Sequence, residues 1–565
     1  MSEPSDPADV AEPALREPTA LAPEVEEGSG EEADPGTAPA RGRSRLLRDN
    51  VGVAAGTALS RVTGVVRLVA LYVAVDASLR DAYLLANNTP NIIYELILGG
   101  VLTATLVPLL TAHLLRGDDE ATSAVVSTTL VALVAVTGLT FLGAPLLIAL
   151  YGTNTGNNVD PAVLRSVGTN LAFLFAPQVF FYGAMAVGSA LLNARNRFFA
   201  AACAPVLNNV FVSALLFSVP LLVTGRRDLD RAASDRALRL LLGLGTTAGI
   251  VLMALVLLPA LRRAGVHIRF RPDWRHPSVR KALTLSGWTI GYVLVNQVAA
   301  QLVNVLAEPG TGNVTNYQAA FVFFQLPHGL LAVSLMTTFQ PDLSRSASRG
   351  DRPAFATRML LGLRLLGVVI VPAAVGYLVL ARAYSVGAVE TGLDTGRVDL
   401  VGVARVLSGF ALGLIGFSAY MFVLRGFYAL SDTRTPFLLN CFENGLNVVF
   451  ALLLVGRYGV VGLACAYAAA YSVGAVVSLF VLMRRMPGFD ARGLADTYVR
   501  LLAAAAVMAG VVWLVARAIA AGSATSVVVG LAAAVVVGIV VYGASVLALR
   551  VPARAGLSLA SLRRR

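Results

Sequence analysis

Long apolar runs recur along most of the chain and are separated by short polar stretches. Each run holds roughly 18 or more residues, which is enough for a helix to cross a hydrocarbon layer about 30 Å thick. The pattern predicts an all-α polytopic membrane protein of about fourteen transmembrane helices, centred on 51–75, 83–115, 122–151, 163–193, 202–224, 239–262, 281–306, 314–346, 358–380, 400–428, 437–455, 459–484, 498–520 and 525–549.

Composition excludes a soluble globule. Of 565 residues, 56% are apolar and only 14% are charged, whereas about a quarter of the residues of soluble domains are charged. The three cysteines lie in apolar runs without paired spacing, so no disulfide or metal site is expected. No cofactor is implied, and the phosphate-binding loop, the zinc-protease motif and the serine nucleophile elbow do not occur. The sequence therefore predicts a transporter rather than an enzyme.

The charged residues predict the topology. Residues 1–40 carry eleven acids, seven prolines and one arginine, a composition typical of a disordered segment. Beyond them lysine and arginine concentrate in the loops that face the cytoplasm if both termini are cytoplasmic. Nucleic acid is therefore not an expected partner. One segment, 226–239, is an exception because its five arginines fall on the outer side.

An internal repeat indicates two halves. The segment 102–118 matches 335–351 at a constant offset of 233 residues, with seven of seventeen positions identical. Six predicted helices separate the copies, and an even number keeps both in the same orientation, which is typical of parallel transporter repeats. The predicted organisation is a cytoplasmic tail, two six-helix lobes, two further helices and a basic tail, at 1–46, 47–265, 266–490, 491–550 and 551–565.

Two arginines in the first predicted helix are candidate ligands for an anionic substrate. Arg61 and Arg67 lie six residues apart, an arc of about 120° on an ideal helix, so both guanidinium groups could face one cavity. Buried charges in membranes cost energy and are functional candidates by default, and a guanidinium suits a phosphate oxygen pair. Snorkelling to the cytoplasmic interface is the alternative for Arg61.

The seventh predicted helix carries a polar stripe. Gln297, Gln301, Asn304 and Glu308 follow spacings of four, three and four, so they share one face. Such a stripe lines water or forms hydrogen bonds between lobes. Other polar candidates within the spans are Asp81, Glu95, His328, Asp342, Arg364, Asn440, Glu443, Asn444 and Asn447.

Several segments together resemble the MurJ/MviN family of lipid II flippases, within the superfamily of multidrug, oligosaccharidyl-lipid and polysaccharide exporters. They are SRVTGVVR and DAYLLANNTPN near the start, GGVLTATLVP after them, and LPHGLLAVSLMTTFQPDLS and YALSDTRTP in the second half. The resemblance covers about residues 48–550. It implies fourteen helices in two lobes, alternating access, a cationic cavity for the diphosphate and sugars of the peptidoglycan precursor, and a groove for the polyprenyl tail at the last two helices.

By this resemblance Arg61, Arg67 and Asp81 match family positions. Other positions depart from the family pattern, because Asn88 replaces a lysine, Tyr94 and Glu95 an arginine pair, Gly99 a glutamate and Val322 an arginine. The cavity is therefore expected to be less cationic than in the family. The preference for arginine over lysine and the acidic tail resemble the high-GC Gram-positive branch.

The leading hypothesis is a flippase that carries lipid II from the cytoplasmic to the outer leaflet of the bacterial cell membrane, with lipid II, its undecaprenyl-diphosphate-linked substrate, and membrane lipids as partners. The candidate binding residues are Arg61, Arg67, Asp81, Gln297, Gln301 and Asn304. The alternatives are a flippase for another polyprenyl-diphosphate glycan, a multidrug or cation antiporter, and a scaffold that recruits wall-synthesis and division proteins through the tail. An antiporter would need buried carboxylates, whereas the first helix offers two arginines and no acid.

Overall fold

The regular elements of the described part of the chain are helices. A computed structural model describes residues 56, 59–95, 110, 118–195, 197–266, 268–277, 287–390, 399–486, 488–519 and 524–551. The helices, numbered α1 to α18, are 59–74, Ala77–Glu95, Asp119–Tyr151, Pro161–Phe175, Gln178–Ala194, Phe198–Leu222, Leu229–Ser234, Arg236–Leu255, Leu257–Arg263, Gly287–Leu306, Asn313–Pro327, Val333–Ser348, Arg352–Glu390, Leu400–Ala411, Leu414–Ala429, Arg434–Arg485, Ala491–Ile519 and Ala524–Ala548. The predicted all-α membrane fold is confirmed.

The helices have the length and hydropathy of membrane spans. Within the described ranges, nine helices are long and apolar enough to cross a membrane, and α14 with α15, bent by 50°, makes a tenth. The helix α16 has 52 residues, about 78 Å if straight, which is too long for one span. Gly459 has a non-helical backbone (φ +54°), and the chain reverses there. The two halves of α16 therefore pack together, and a Cβ on Gly474 would lie 3.3 Å from the Glu443 side chain. The total of fourteen spans stays a prediction.

Two hydrophobic cores organise the helices into two lobes. One core is built mainly from side chains of α1 to α8, and the other from side chains of α11 to α17. We call α1 to α9 the N-terminal lobe and α10 to α16 the C-terminal lobe. The predicted domain boundaries stay predictions, because the tail at 1–46 and most of the repeat copy at 102–118 lie outside the described residues.

The last two helices pack on the outside of the C-terminal lobe. Both α17 and α18 contact α13, where Tyr498 donates a hydrogen bond to the carbonyl of Leu363 at 3.0 Å and Arg364 pairs with Asp490 at 3.1 Å. Arg364, a predicted functional candidate, is therefore part of a contact that fixes α17 to the lobe.

Several spans contain breaks. A π-helical segment, His328–Ala332, follows Pro327 and separates α11 from α12, since proline removes one bond of the helical ladder. The prolines Pro90 and Pro341 lie inside helices. The eighth span is thus irregular at Pro327, beside the cavity described below.

The arginine-rich segment 226–239 owes its charges to local structure. Arg226 pairs with Asp228, and Arg231 with Asp235. The guanidinium of Arg227 donates to the carbonyl of Ala74 at 2.6 Å. Salt bridges and a helix-end contact thus give Arg226, Arg227 and Arg231 local partners, and the predicted topology stays a prediction.

Candidate substrate-binding cavity

A cavity of about 750 Å³ lies between the lobes. Both lobes line it: α2 belongs to the N-terminal lobe, and α10, α11, α15 and α16 belong to the C-terminal lobe. Its polar and aromatic lining consists mainly of Asn88, Glu95, Tyr292, Asn296, Gln297, Asn304, Tyr317, Gln318, Phe321, Gln325, Phe417, Tyr428, Asn444, Asn447, Tyr467 and Tyr471. Amides and tyrosines offer hydrogen-bond donors and acceptors with flat apolar faces. Glu95 is the one charged residue that lines the cavity in the described part of the chain.

The predicted stripe on α10 divides into two roles. Gln297 and Asn304 line the cavity. Gln301 is buried behind them, and its side-chain oxygen accepts from Asn88 at 2.9 Å, from Asn304 at 3.1 Å and from the hydroxyl of Tyr151. Because Asn88 and Tyr151 belong to the N-terminal lobe, Gln301 joins the two lobes. Both readings of the stripe therefore hold, on different residues.

The inclusion of Glu308 in that stripe was wrong. The helix α10 ends at Leu306, and Glu308 lies in the following turn with φ +53° and an exposed side chain. Pro309 and Gly310 follow directly, and both residue types favour the end of a helix. The helical spacing continued in the sequence beyond the point where the helix itself ends.

Asp81 is buried and caps a helix of the other lobe. One carboxylate oxygen accepts from the backbone N–H groups of Gly310 at 3.0 Å and Gly312 at 2.8 Å. The other accepts from the N–H of Thr315 at 2.9 Å and its hydroxyl at 2.6 Å. Acidic groups stabilise the first turn of a helix, and here α11 begins at Asn313. This geometry gives Asp81 a contact between lobes, and its predicted role in binding substrate stays a prediction.

Three further hydrogen bonds lie at the same face as the Asp81 contact. Tyr72 donates to Asn316 at 3.1 Å, Asn316 donates to Asp399 at 2.6 Å, and Asn154 donates to the carbonyl of Val305 at 2.9 Å. The first and third of these bonds, with the Asp81 contact, join the ends of α1 and α3 and the start of α2 to the end of α10, the turn after it and the start of α11. The bond from Asn316 to Asp399 lies within the C-terminal lobe and holds Asn316 in place. We call this group the clasp. It fastens the two lobes at one membrane face.

The two arginines of α1 approach different lobes. Nη2 of Arg61 lies 3.6 Å from the position of a Cβ on Gly329, in the π-helical segment of the C-terminal lobe. The charge of Arg67 instead lies within electrostatic range of Tyr83 and Tyr182 in the N-terminal lobe. Neither is among the residues that line the cavity. Their predicted role in binding stays a prediction.

Arg425 was not among the candidate residues predicted from the sequence. Arg425 on α15 is exposed and lies, like Arg61, within electrostatic range of His328. It precedes Tyr428, a cavity-lining residue, by three positions, about one helical turn, on the same face. An arginine inside the apolar run YMFVLRGFYAL was a visible signal for it. Arg61 and Arg425 thus place two positive charges beside the cavity.

A buried carboxyl group lies behind the cavity wall. Glu443 is fully buried and accepts a hydrogen bond from Asn444 at 3.0 Å, while Asn440 and Asn444 both donate to Asn296. This network connects α10 with α16. Of the family departures, Val322 lines the cavity, so a neutral side chain faces it where the family pattern has arginine. Gly99 and the Tyr94 side chain lie outside the described residues.

Two helical lobes that surround a polar cavity and are fastened at one face define a membrane transporter. The family model for lipid II flippase MurJ matches residues 73–539 of the chain. The chain therefore belongs to the lipid II flippase MurJ family, and the predicted family is confirmed. Since a flippase is a transporter, the predicted class of protein is confirmed as well.

Individual relatives agree with this assignment. A probable lipid II flippase MurJ of Vibrio cholerae serotype O1 is 28% identical over 454 residues, covering 78% of this chain and 82% of its own. A solved structure of lipid II flippase MurJ in an inward closed conformation is 21% identical with a TM-score of 0.69, covering 88% of this chain and 98% of its own. An inward-facing multidrug transporter of the MATE family reaches a TM-score of 0.61 at 15% identity, covering 76% and 95%. The structures support the fold.

Proposed function

We propose that this chain carries lipid II from the inner to the outer leaflet of the bacterial cell membrane by alternating access. The observation that carries the proposal is the polar cavity between two lobes in a chain of the lipid II flippase family. Such a cavity can hold a large polar headgroup, while the polyprenyl chain stays in lipid. No covalent chemistry is needed.

The cavity lining suits a glycan-peptide headgroup. Amide side chains such as Gln297 and Asn304 can exchange hydrogen bonds with sugar hydroxyls and peptide groups, and rings such as Tyr467 can cover the apolar face of a sugar. Arg61 and Arg425 provide the positive charge for the diphosphate, because guanidinium groups form charge-assisted bonds with phosphate oxygens.

We further propose that both termini are cytoplasmic, as the positive-inside pattern predicts. The clasp then lies on the outer side, so the structure corresponds to a state closed to the outside, and substrate enters from the cytoplasm. Release requires the clasp to open. Outward movement of an anion is favoured by a potential that is negative inside, by about 2.3 kcal/mol per charge per 100 mV.

The acidic tail is proposed to recruit wall-synthesis and division proteins rather than to take part in transport. Its composition is typical of a segment that binds without a fold of its own. Deleting residues 1–40 should therefore leave lipid II transport intact and reduce co-isolation of wall-synthesis proteins.

The proposal is tested in a bacterial host depleted of its own flippase. The host receives the intact chain, Arg61→Ala, Arg425→Ala, or the matched control Arg236→Ala, an exposed arginine at the other face of the molecule. Lipid II accessible to an externally added probe is measured at equal expression. Restoration by the intact chain and the control, with loss in the Arg61 and Arg425 variants, supports the proposal. A well-inserted chain that restores no exposure contradicts it and favours another polyprenyl-diphosphate glycan.

A further inference from the structure

An extended segment between the lobes is fastened along the start of α3. In residues 268–274, which we call the strap, the backbone N–H groups of Arg269, Arg271 and Asp273 donate to hydroxyl groups of α3. The acceptors are Ser123 at 3.2 Å, Ser127 at 2.9 Å and Thr128 at 2.9 Å. The three donors are alternate residues, so one edge of the strap is held by α3.

The strap runs toward the membrane. Its successive donors meet successive residues of α3, from Ser123 to Thr128, so the strap and the helix advance in the same direction. The lipid-facing surface of α3 begins shortly beyond, since Val134 is 61% exposed and Leu142 78% exposed. Six residues separate Thr128 from Val134, about 9 Å along a helix. The end of the strap therefore lies at the level of the lipid headgroups.

The strap exposes both aromatic and basic side chains. Phe270 is 72% exposed and Trp274 is 54% exposed. Residues 262–277 contain five arginines and a single acid, Asp273. Arg271 pairs with Glu120 at 2.7 Å. Arg269 lines a pocket with Asp119 and Glu120 at the start of α3, but neither Arg269 nor Arg275 has an ion-pair partner within the described ranges. Tryptophan with arginine is the usual composition of a surface at the lipid–water interface.

We propose that the strap is a binding surface for anionic phospholipids, with Trp274 inserted at the interface and the neighbouring arginines bound to headgroup phosphates. Basic segments beside a membrane are attracted to anionic lipid. The acidic tail would match the charge of the strap, but residues 1–40 contain no aromatic side chain and offer nothing to cover Phe270 and Trp274. This binding is separate from substrate transport and does not depend on the proposed function.

The test uses the full chain with Trp288→Phe and Trp513→Phe, which leaves Trp274 as its single tryptophan. The protein is reconstituted in phosphatidylcholine vesicles that contain a fixed fraction of brominated phosphatidylglycerol or of brominated phosphatidylcholine. Bromine quenches the fluorescence of a tryptophan that it approaches. We expect stronger quenching by the anionic lipid. Arg269→Gln and Arg275→Gln should each lower the relative occupancy by anionic lipid about fivefold.

A matched control is Arg226→Gln, which changes an exposed arginine at the other face of the molecule and should leave the quenching unchanged. If brominated phosphatidylglycerol and brominated phosphatidylcholine quench Trp274 equally in the protein with an unsubstituted strap, the proposal is overturned, whatever the arginine variants show. Quenching that develops only after deletion of residues 1–40 would also overturn it, because the tail would then occupy the surface. Lipid II exposure, measured in parallel, reports separately on transport.

Discussion

The clasp and the cavity use buried polar groups in opposite ways. In the clasp, both oxygens of Asp81 are saturated by four donors from the opposite lobe. Around the cavity, buried atoms of Gln301, Asn440, Glu443 and Asn447 have no protein partner in the part of the chain that the structure describes. Saturated networks hold one arrangement, whereas unsaturated groups can bind something else.

With these two kinds of polar group, one molecule can hold one state and still bind substrate. A buried carboxylate that accepts four hydrogen bonds stabilises the closed face, but the bonds reach between lobes and break together when the lobes separate. The cavity is lined by neutral amides, which can form hydrogen bonds with water at little free-energy cost when no substrate is bound. Rigidity is thus placed at one face and adaptability in the middle.

The largest effect is expected for Asp81→Ala. The substitution leaves two donors of the turn before α11 and two of its first turn without an acceptor, which should lower the stability of the closed state by about 3 kcal/mol. We expect a lower midpoint of thermal unfolding in detergent and a loss of lipid II exposure in the depleted host. Asp160→Ala serves as the control, since Asp160 caps α4 at its exposed start through the N–H of Ala162. If Asp81→Ala unfolds at the same temperature as the unsubstituted chain, the hydrogen bonds of the clasp do not stabilise the closed state, and the clasp does not differ from the cavity in this respect.

A smaller effect is expected for Val322→Arg, which restores a cation to the cavity lining. An added charge-assisted hydrogen bond should strengthen the binding of the diphosphate headgroup about tenfold. The measurement is a titration of the purified protein with lipid II, with Val322→Gln as a neutral control of similar length. If both variants bind equally well, charge in the cavity does not limit binding.

Next in size is the coupling between Gln301 and Tyr151. A double-mutant cycle with Gln301→Leu and Tyr151→Phe should give about 0.6 kcal/mol of interaction energy in thermal unfolding, an average value for hydrogen bonds in membranes. Gln178 and Thr247, bonded at 3.0 Å within the N-terminal lobe, are the comparison pair. Only the first pair should also alter lipid II exposure, because only it joins the lobes.

The smallest effect concerns Asp432, in the loop between α15 and α16. Burial would raise the pKa of this carboxyl group, but hydrogen bonds from Thr435 and the ion pair with Arg485 outweigh it and hold the pKa below its ordinary value. The stabilisation is therefore complete at neutral pH and lost as the pH falls below about 4. The midpoint temperature of thermal unfolding should decrease less between about pH 6 and pH 3 in Asp432→Asn than in the unsubstituted chain. An unchanged slope would contradict this role.

Much of the fold was predictable because lipid restricts the chain to helices of a given length. Apolar runs predicted a span at 122–151 where the helix is Asp119–Tyr151, and separate spans at 437–455 and 459–484 where the chain reverses at Gly459. The stripe on α10 was likewise visible as spacing, although Pro309 marked its true end.

Long-range partners could not be predicted. Asp81 was predicted to bind substrate because it lies within a span and matches a family position, whereas its observed partners lie more than 200 residues away. The hydroxyl ladder of Ser123, Ser127 and Thr128 was equally hidden, since its partners follow in another segment. Helical spacing predicted that Arg61 and Arg67 face one cavity, but which lobe each side chain meets depends on packing that spacing does not contain.

Locking the clasp tests alternating access directly. A Cβ on Gly156, in the N-terminal lobe, lies 3.7 Å from Cβ of Thr311 in the C-terminal lobe, a suitable separation for a disulfide. In a background without Cys203, Cys441 and Cys465, Gly156→Cys with Thr311→Cys joins the lobes.

The control is Gly188→Cys with Leu257→Cys, at 3.8 Å within the N-terminal lobe. Oxidation of the first pair should abolish lipid II exposure and a reductant should restore it, while the control pair transports in both states. Full lipid II exposure with the clasp locked would contradict alternating access through this face.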